Sequence, residues 1–188
     1  MAGRTSWTGA RRRLFLLTGS LIAGLAIFVS SASAYVNPFA HGGWEPARID
    51  MGVDYIPTRL EPVRAIGAAK ILGSDSHSGW PGNHYIWYQL LGGKQKGEII
   101  YVAEKLRHLA PAGKHVDKGQ KIAMAVPRYP WTEWGWAKKD GQTRAAPCYK
   151  EGKATNSGKT FARFMRSLGA PLLDDPGPGS SHSTGALC

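Results

Sequence analysis

Short apolar segments separated by glycine and proline turns constrain the fold of this chain more than any other feature. Each segment has the length of a strand, and turn-forming residues stand between successive segments. We expect strands at residues 62–66, 68–72, 84–91, 98–106, 121–126 and 131–137. This spacing predicts an all-β fold, a small antiparallel β-sandwich or barrel-like domain over residues 35–145, with an irregular lead-in from Tyr35 to Arg48.

The C-terminal part has a different pattern. Phe161, Phe164, Met165 and Leu168 follow helical spacing, which predicts an amphipathic helix within an extension at residues 146–172. Ser157 is the candidate N-cap, and the helix should pack against the β domain. Residues 173–188 contain mainly proline, glycine and serine, with few apolar side chains, which predicts a disordered tail.

The N-terminus has the pattern of an export signal. Arg11 to Arg13 form a basic stretch, residues 14–29 are almost wholly apolar, and Ala32 and Ala34 supply small residues for cleavage. We therefore predict a signal peptide at residues 1–34, read by the Sec or twin-arginine route, and a secreted bacterial protein of the cell envelope. A single-pass anchor is the alternative; after cleavage no stable membrane span is expected.

Charge and cysteine content suggest a partner and a redox environment. The chain carries a formal charge of +11, and removing a leader with four arginines leaves +7. A basic exported domain suits an anionic cell-wall polymer, although simple solubility is the alternative. No helix carries a basic stripe, so nucleic acid is not expected as a partner. Cys148 and Cys188 could pair in an oxidising compartment, or Cys188 could remain an unpaired thiol in a flexible tail.

The stretch from Asp50 to Asp54 places two carboxylates around Gly52 at the head of the β domain. By itself, this pattern is compatible with a turn, a metal loop or a pair of acids. Its position before a series of strands makes it the first place to look for function.

The order of several motifs resembles the lysostaphin-type zinc endopeptidases, which have the LytM-like, duplicated hybrid motif fold. The family pattern runs from His-x-Gly-x-Asp through a Tyr-Ala-His-Leu strand to His-Leu-His-Phe. The matching segments here are residues 50–54, 61–65, 79–83, 101–104, 116–122 and 132–136. The resemblance covers residues 48–137 and implies the family's fold and a peptidoglycan or other cell-wall polysaccharide ligand.

The resemblance also implies a lost zinc site. Asp50 stands where the family has its first zinc-binding histidine, while Asp54 keeps the family's residue type. Glu104 replaces the catalytic histidine, and residues 132–134 (Thr-Glu-Trp) replace the His-Leu-His sequence. Zinc usually requires about three nitrogen or oxygen ligands, with imidazole the common choice. We therefore expect no zinc peptidase activity and no metal or other cofactor.

The replacements are acids, which suggests other chemistry. The implied fold would bring Asp50, Asp54, Glu104 and Glu133 to one groove, where mutual repulsion separates a protonated acid from an ionised base. Glycoside hydrolysis requires such a pair. The same acids could instead form a solvated rim, or Asp50 and Glu133 could pair with Arg48 or Arg64. A site for Ca²⁺ or Mg²⁺ is the third interpretation.

Aromatic residues near these positions are candidate sugar platforms. The candidate substrate-binding residues are Trp80, Tyr101, Trp134 and Trp136, with Trp131 beside them. The alternative is that these tryptophans are core residues. Two functions are therefore predicted: a wall-associated protein without zinc that binds or remodels a polymer, or a metal-independent glycoside hydrolase acting on an envelope glycan.

Overall fold

The computed structural model describes Met1, Gly3 and residues 33–128, 131–179 and 181. Within this part the chain forms ten strands, a 3₁₀ turn at Ala146–Cys148 and one α-helix. The predicted signal peptide falls almost wholly outside the described residues, as do Cys188 and half of the predicted tail, so those predictions stay predictions.

Two antiparallel sheets make up the β domain. The strands are β1 (Trp44–Ile49), β2 (Val53–Pro57), β3 (Glu61–Arg64), β4 (Ala69–Asp75), β5 (His84–Leu90), β6 (Ile99–Glu104), β7 (Leu106–Arg107), β8 (His115–Val116), β9 (Lys121–Ala125) and β10 (Thr132–Ala137). The larger sheet has the order β1-β2-β10-β6-β5-β4-β8, and the smaller has the order β3-β9-β7. The antiparallel all-β prediction is confirmed, but neither of these two sheets closes into a barrel.

The lead-in is more regular than its sequence suggested. Strand β1 begins at Trp44 and pairs with β2, so the prediction of irregular structure up to Arg48 is wrong over these residues. Pro46 misled the prediction because proline usually interrupts a sheet. Here it lies on an edge strand, where its missing N–H costs no ladder hydrogen bond, and the register shifts between Pro46 and Ile49.

The main core lies between the sheets and the C-terminal helix, α1 (Asn156–Ser167). Phe161 and Phe164 of α1 pack on Trp136 of β10, with ring centroids 4.9 and 5.3 Å apart. The predicted helix and its packing face are therefore confirmed. Its N-cap is Thr155 rather than Ser157, because the Thr155 side chain accepts a hydrogen bond from the Gly158 amide.

A second apolar cluster lies on the other face of the large sheet. It contains buried Tyr85, Tyr101 and Ala103, and the half-buried rings of Trp80 and Trp87 pack against it. Strand alternation explains the separation: Ile100 and Val102 of β6 point into the main core, whereas Tyr101 and Ala103 point the other way. This second face carries the candidate site.

The described part of the predicted tail contacts α1. Arg163 donates to the carbonyl oxygen of Pro176 at 2.9 Å, and Arg166 pairs with Asp175 at 2.8 Å.

No helix within residues 33–128 and 131–179 has the length and apolar character needed to span a bilayer.

The first turn of α1 packs so closely on the loop between β1 and β2 that it requires a glycine. A Cβ added to Gly158 would lie 2.2 Å from the carbonyl oxygen of Asp50 and 3.1 Å from that of Gly52. Helix propensity alone would make Gly158→Ala stabilising by about 1 kcal/mol. We predict the opposite: Gly158→Ala should lower the free energy of unfolding by about 1–3 kcal/mol, as measured by urea unfolding. Asn156→Ala, at an exposed position of the same turn, is the control and should change little; a stabilised Gly158→Ala would contradict this packing.

Candidate functional site

Three adjacent strands bring the predicted acids together. In the register of β2 and β10, Glu133 lies opposite Asp54, and in that of β10 and β6, Thr132 lies opposite Glu104. Asp50 belongs to the loop that joins β1 to β2. Carboxylate oxygens of Asp50, Asp54 and Glu133 all lie within 4.8 Å of one another, and we call these three residues the acidic trio.

Arg48 contacts two members of the trio. Its Nε lies 2.8 Å from Oδ2 of Asp54 and 3.2 Å from Oδ2 of Asp50. Its Nη1 reaches Oε1 of Glu151 at 3.2 Å, and its guanidinium lies 5.4 Å from the centre of the Trp131 ring. The alternative predicted for Asp50, pairing with Arg48, is therefore observed, and Asp54 shares the same partner.

The loop that carries Asp50 is held by α1 and by a close approach to β10. The carbonyl oxygen of Asp50 accepts hydrogen bonds from the amide and the hydroxyl of Thr155, at 2.8 and 3.0 Å. A Cβ at Gly52 would lie 2.3 Å from the carbonyl oxygen of Trp134 and 2.9 Å from Oε1 of Glu133. Gly52 therefore lets the loop lie directly against the trio, and the N-terminal end of α1 holds it there.

Glu133 is the most enclosed glutamate of the site. Its side chain accepts a hydrogen bond from the Tyr101 hydroxyl, and both residues are buried. Burial raises the pKa of Glu133 well above its usual range, repulsion from Asp54 and Asp50 adds to the rise, and the Tyr101 hydrogen bond opposes it. Burial and the neighbouring carboxylates therefore favour the protonated form of this carboxyl.

Glu104 ends β6 in a conformation that glutamate rarely adopts. Its φ is +88°, in the region that favours glycine, although its side chain is only 8 % exposed. Among the described residues, its Oε2 has no hydrogen-bond partner. Burial first and repulsion from Asp54 second raise the pKa of Glu104 to about 8, with Arg48 acting in the opposite direction. A strained, unpartnered carboxyl of this kind is typical of functional positions.

Asp54 titrates in a neighbouring range. Burial, followed by repulsion from Asp50, raises its pKa to about 7, while Arg48 lowers it. Glu104 and Asp54 therefore change charge within the physiological range and influence each other, so each titration reports on the pair.

A cavity of about 400 Å³ opens over these groups. Asp54, Glu104 and Glu133 line it together with Arg48 and Trp131, whereas Asp50 lies behind them with no exposed surface. A second cavity of about 430 Å³ adjoins the first, since both are lined by Met51, Ser78, Trp80 and Tyr149. We call the two cavities together the groove.

The predicted aromatic residues separate into two groups. Trp80 lines both cavities. Trp134 and Trp136 are 0 % and 1 % exposed and belong to the main core, so the core alternative describes them instead. Tyr101 is also fully buried; its hydroxyl donates to Glu133 and its ring centroid lies 5.7 Å from that of Trp80. Trp131 lines the first cavity, whereas the nearby Trp134 and Trp136 do not.

Two lining residues escaped the sequence reasoning. Tyr149 and Glu151 belong to the extension after the β domain and line the first cavity. They carry no motif and no periodic signal. Both residues follow closely after the 3₁₀ turn at Ala146–Cys148.

The donor atoms do not fit the zinc ion that the fold resemblance implies. Within the described part of the chain, the trio offers carboxylate oxygens and no imidazole. The Nε of Arg48 is already in contact with two of these carboxylates. Zinc sites in proteins are built mainly from imidazole and thiolate, so no chemical step here is assigned to zinc.

Glu104→Gln tests the raised pKa through stability. The folded pKa of about 8 exceeds the ordinary value of about 4.3, so the folded state binds the proton more tightly than the unfolded state and loses stability as pH rises between the two. We predict that wild type is less stable at about pH 8.5 than at about pH 5. At the higher pH, the free energy of unfolding of Glu104→Gln should exceed that of wild type by on the order of 2 kcal/mol.

Urea unfolding at the two pH values measures this difference. Glu45→Gln, which changes an exposed glutamate of β1, is the matched control. A Glu104→Gln variant that keeps the full pH dependence of wild type would contradict the raised pKa.

Comparison with known proteins shows a fold and no closer relationship. No protein-family model matches the sequence, and no curated protein matches it either. Among solved structures, the antimicrobial peptidase lysostaphin from Staphylococcus simulans superposes with a TM-score of 0.50 at 14 % identity, covering 80 % of this chain and 61 % of that one. An NMR solution structure of lysostaphin gives a TM-score of 0.48 at 15 % identity, covering 78 % and 61 %.

The chain thus spans about 61 % of the length of the lysostaphin chain that it resembles. At this identity the likeness concerns the fold alone. The described part of this chain, mostly antiparallel sheets with one C-terminal helix, is similar in fold to lysostaphin.

Proposed function

We propose that this protein is exported, binds a cell-wall polysaccharide or peptidoglycan in the groove, and remodels it by hydrolysing a glycosidic bond without zinc. The observation that carries the proposal is Glu104, a buried carboxyl with an unpartnered oxygen and a pKa of about 8 in the wall of an open cavity. The predicted export signal and the resemblance in motif order support an envelope polymer as the ligand.

Glu104 suits the role of proton donor. With a pKa of about 8 it keeps its proton at neutral pH, and it lies where a ligand in the first cavity would meet it. A general acid works best when its pKa is close to the operating pH. In the proposed reaction, Glu104 protonates the leaving glycosidic oxygen as the bond to the anomeric carbon breaks.

Asp54 suits the complementary role. The Arg48 contact at 2.8 Å favours its ionised form, which is the form required of a base or of a carboxylate that stabilises an oxocarbenium ion. Water attacks the anomeric carbon, its proton passes to the base, and the two products are a new reducing end and a free hydroxyl. Asp50 lies behind this pair and its negative charge raises the pKa of both acids, whereas Glu133 lines the cavity beside them.

The length of the groove suits a polymer rather than a single sugar. The two cavities share Trp80 and Tyr149, so a ligand chain could pass from one to the other across aromatic surface. Aromatic rings pack well against the apolar faces of sugar rings.

A second candidate function is binding without cleavage. The Nε of Arg48 contacts both Asp50 and Asp54, and this pairing withdraws the two aspartates from a reaction with the ligand. A polymer held by the aromatic walls and by the protonated Glu104 would then be bound and released intact.

Glu104→Gln separates these two functions. It keeps the shape of the side chain and removes the acid, so we predict a loss of hydrolysis of ~10²-fold or more with polymer binding retained. The assay is release of reducing ends from whole cell walls and from isolated envelope polysaccharides, with cosedimentation measuring binding. Glu45→Gln is again the control. A wild type that sediments with walls and cleaves nothing supports the binding function, while full activity in Glu104→Gln refutes its role as the acid.

The pH profile gives an independent test. Hydrolysis requires protonated Glu104, so kcat/KM should fall as pH rises through about 8. It also requires ionised Asp54, so kcat/KM should fall as pH decreases through about 7. We predict a narrow bell-shaped profile in initial-rate measurements. Because the two carboxyls influence each other, the apparent pKa of each limb describes the pair rather than one residue. A flat profile from about pH 5 to about pH 9 would contradict both assignments.

Export is tested by the N-terminus of secreted material. We predict that the mature chain begins at Tyr35, a residue that the fold would retain, since its hydroxyl donates to the carbonyl oxygen of Gly92 at 2.8 Å and its ring packs edge-on against Phe164. N-terminal sequencing of protein from the culture medium or the envelope measures this. Protein that retains residues 14–29 would contradict cleavage and support the membrane anchor.

A further inference from the structure

We propose that Arg48 is the built-in counter-ion of the acidic trio: its guanidinium takes the charge-balancing place of a divalent cation and keeps such ions out. The inference concerns how the acids are neutralised and does not depend on the proposed hydrolysis. The resemblance places the trio at or beside the family's zinc-ligand positions, yet its carboxylates are not the ligands that zinc prefers.

The contact distances place the guanidinium at the carboxylates themselves. Nε lies 2.8 Å from Oδ2 of Asp54 and 3.2 Å from Oδ2 of Asp50. A Ca²⁺ or Mg²⁺ ion joining these two oxygens would need about 2.0–2.6 Å to each. It would therefore meet the positively charged guanidinium at contact distance, and both cations would compete for the same oxygens.

Contacts on its outer side hold Arg48 in this position. Nη1 pairs with Glu151 at 3.2 Å, and the guanidinium lies 5.4 Å from the centre of the Trp131 ring, within range of a cation–π contact. Its side chain is 33 % exposed, compared with 0 % for Asp50 and 2 % for Asp54. Arg48 lines the first cavity beside Asp54, so an ion entering from the groove would meet its positive charge.

The burial of the aspartates makes this positive charge necessary. Carboxylates removed from water are stable only when paired, hydrogen-bonded or protonated. Asp50 Oδ2 has no hydrogen-bond partner within the described residues, and its ion pair with Arg48 at 3.2 Å stabilises its charge. Without Arg48, the trio would be a set of closely spaced oxygen donors, the ligand type of hard divalent cations.

Arg48→Met tests the inference, because it keeps much of the side-chain length and removes the charge. Arg59→Met is the matched control, since Arg59 pairs with the buried Glu61 at 2.5 Å outside the trio. Arg48→Lys restores a positive charge. For each protein, the midpoint of thermal unfolding is measured with chelator and with Ca²⁺, Mg²⁺, Mn²⁺ or Zn²⁺ in turn, and bound metal is counted after equilibrium dialysis.

Wild type, Arg59→Met and Arg48→Lys should bind no divalent ion stoichiometrically and should melt at the same temperature with and without metal. Arg48→Met in chelator should melt ~10 °C below wild type. A hard divalent ion should bind to it at about one per chain and recover most of that loss. Wild type that binds a divalent ion as well as Arg48→Met does would overturn the proposal, as would a folded Arg48→Met that neither loses stability nor binds an ion.

A second variant covers a failure of Arg48→Met to fold. Arg48→Met combined with Asp54→Asn removes the cation and one carboxylate together, so it should fold without metal and bind none. If the double variant also fails to fold in every condition, Arg48 has a packing role beyond charge, and the proposal is overturned.

Discussion

The contact between the Arg48 guanidinium and the carboxylates of Asp50 and Asp54 is the interaction on which the rest of the site depends. It joins β1 to β2 across the loop between them, and through Glu151 it reaches the extension that follows the β domain. The same loop lies under the first turn of α1, where Thr155 bonds the carbonyl oxygen of Asp50 and Gly158 permits the close contact. The C-terminal helix is therefore part of the structure that builds the site.

The acids differ in their contact with the positive charge of Arg48, and they therefore differ in chemistry. Arg48 contacts Asp54 directly and favours its ionised form, whereas Glu104 has no such partner within the described chain and keeps its proton to a higher pH. Burial also raises the pKa of Glu133, whose side chain accepts a hydrogen bond from the Tyr101 hydroxyl. Neighbouring carboxyls thus acquire distinct protonation states from burial and from one arginine, which is the condition for acid and base roles in one cavity.

Sequence predicted much of the fold, because strand length, turn residues and helical periodicity are local signals. It failed at β1, where Pro46 looked like a breaker, and at the helix N-cap, where Ser157 and Thr155 are both suitable residue types. The four acids were identified through the order of motifs. The alternation of β10 held information that went unused: Glu133 lies on the groove face, so Trp134 must lie on the opposite face, in the core. No local signal indicated which carboxylates Arg48 would join, because that choice depends on strand register and on a loop fixed by a distant helix.

Titration of the Glu104 carboxyl by carbon-13 NMR tests the central claim most directly. The resonance is assigned by its absence in Glu104→Gln and followed as pH is raised. We predict a midpoint near 8, in a protein prepared without divalent metal, because burial and the negative charge of Asp54 outweigh Arg48 at this position. A midpoint near the ordinary value of about 4.3 would mean that Glu104 is ionised at neutral pH and would contradict the proposed acid.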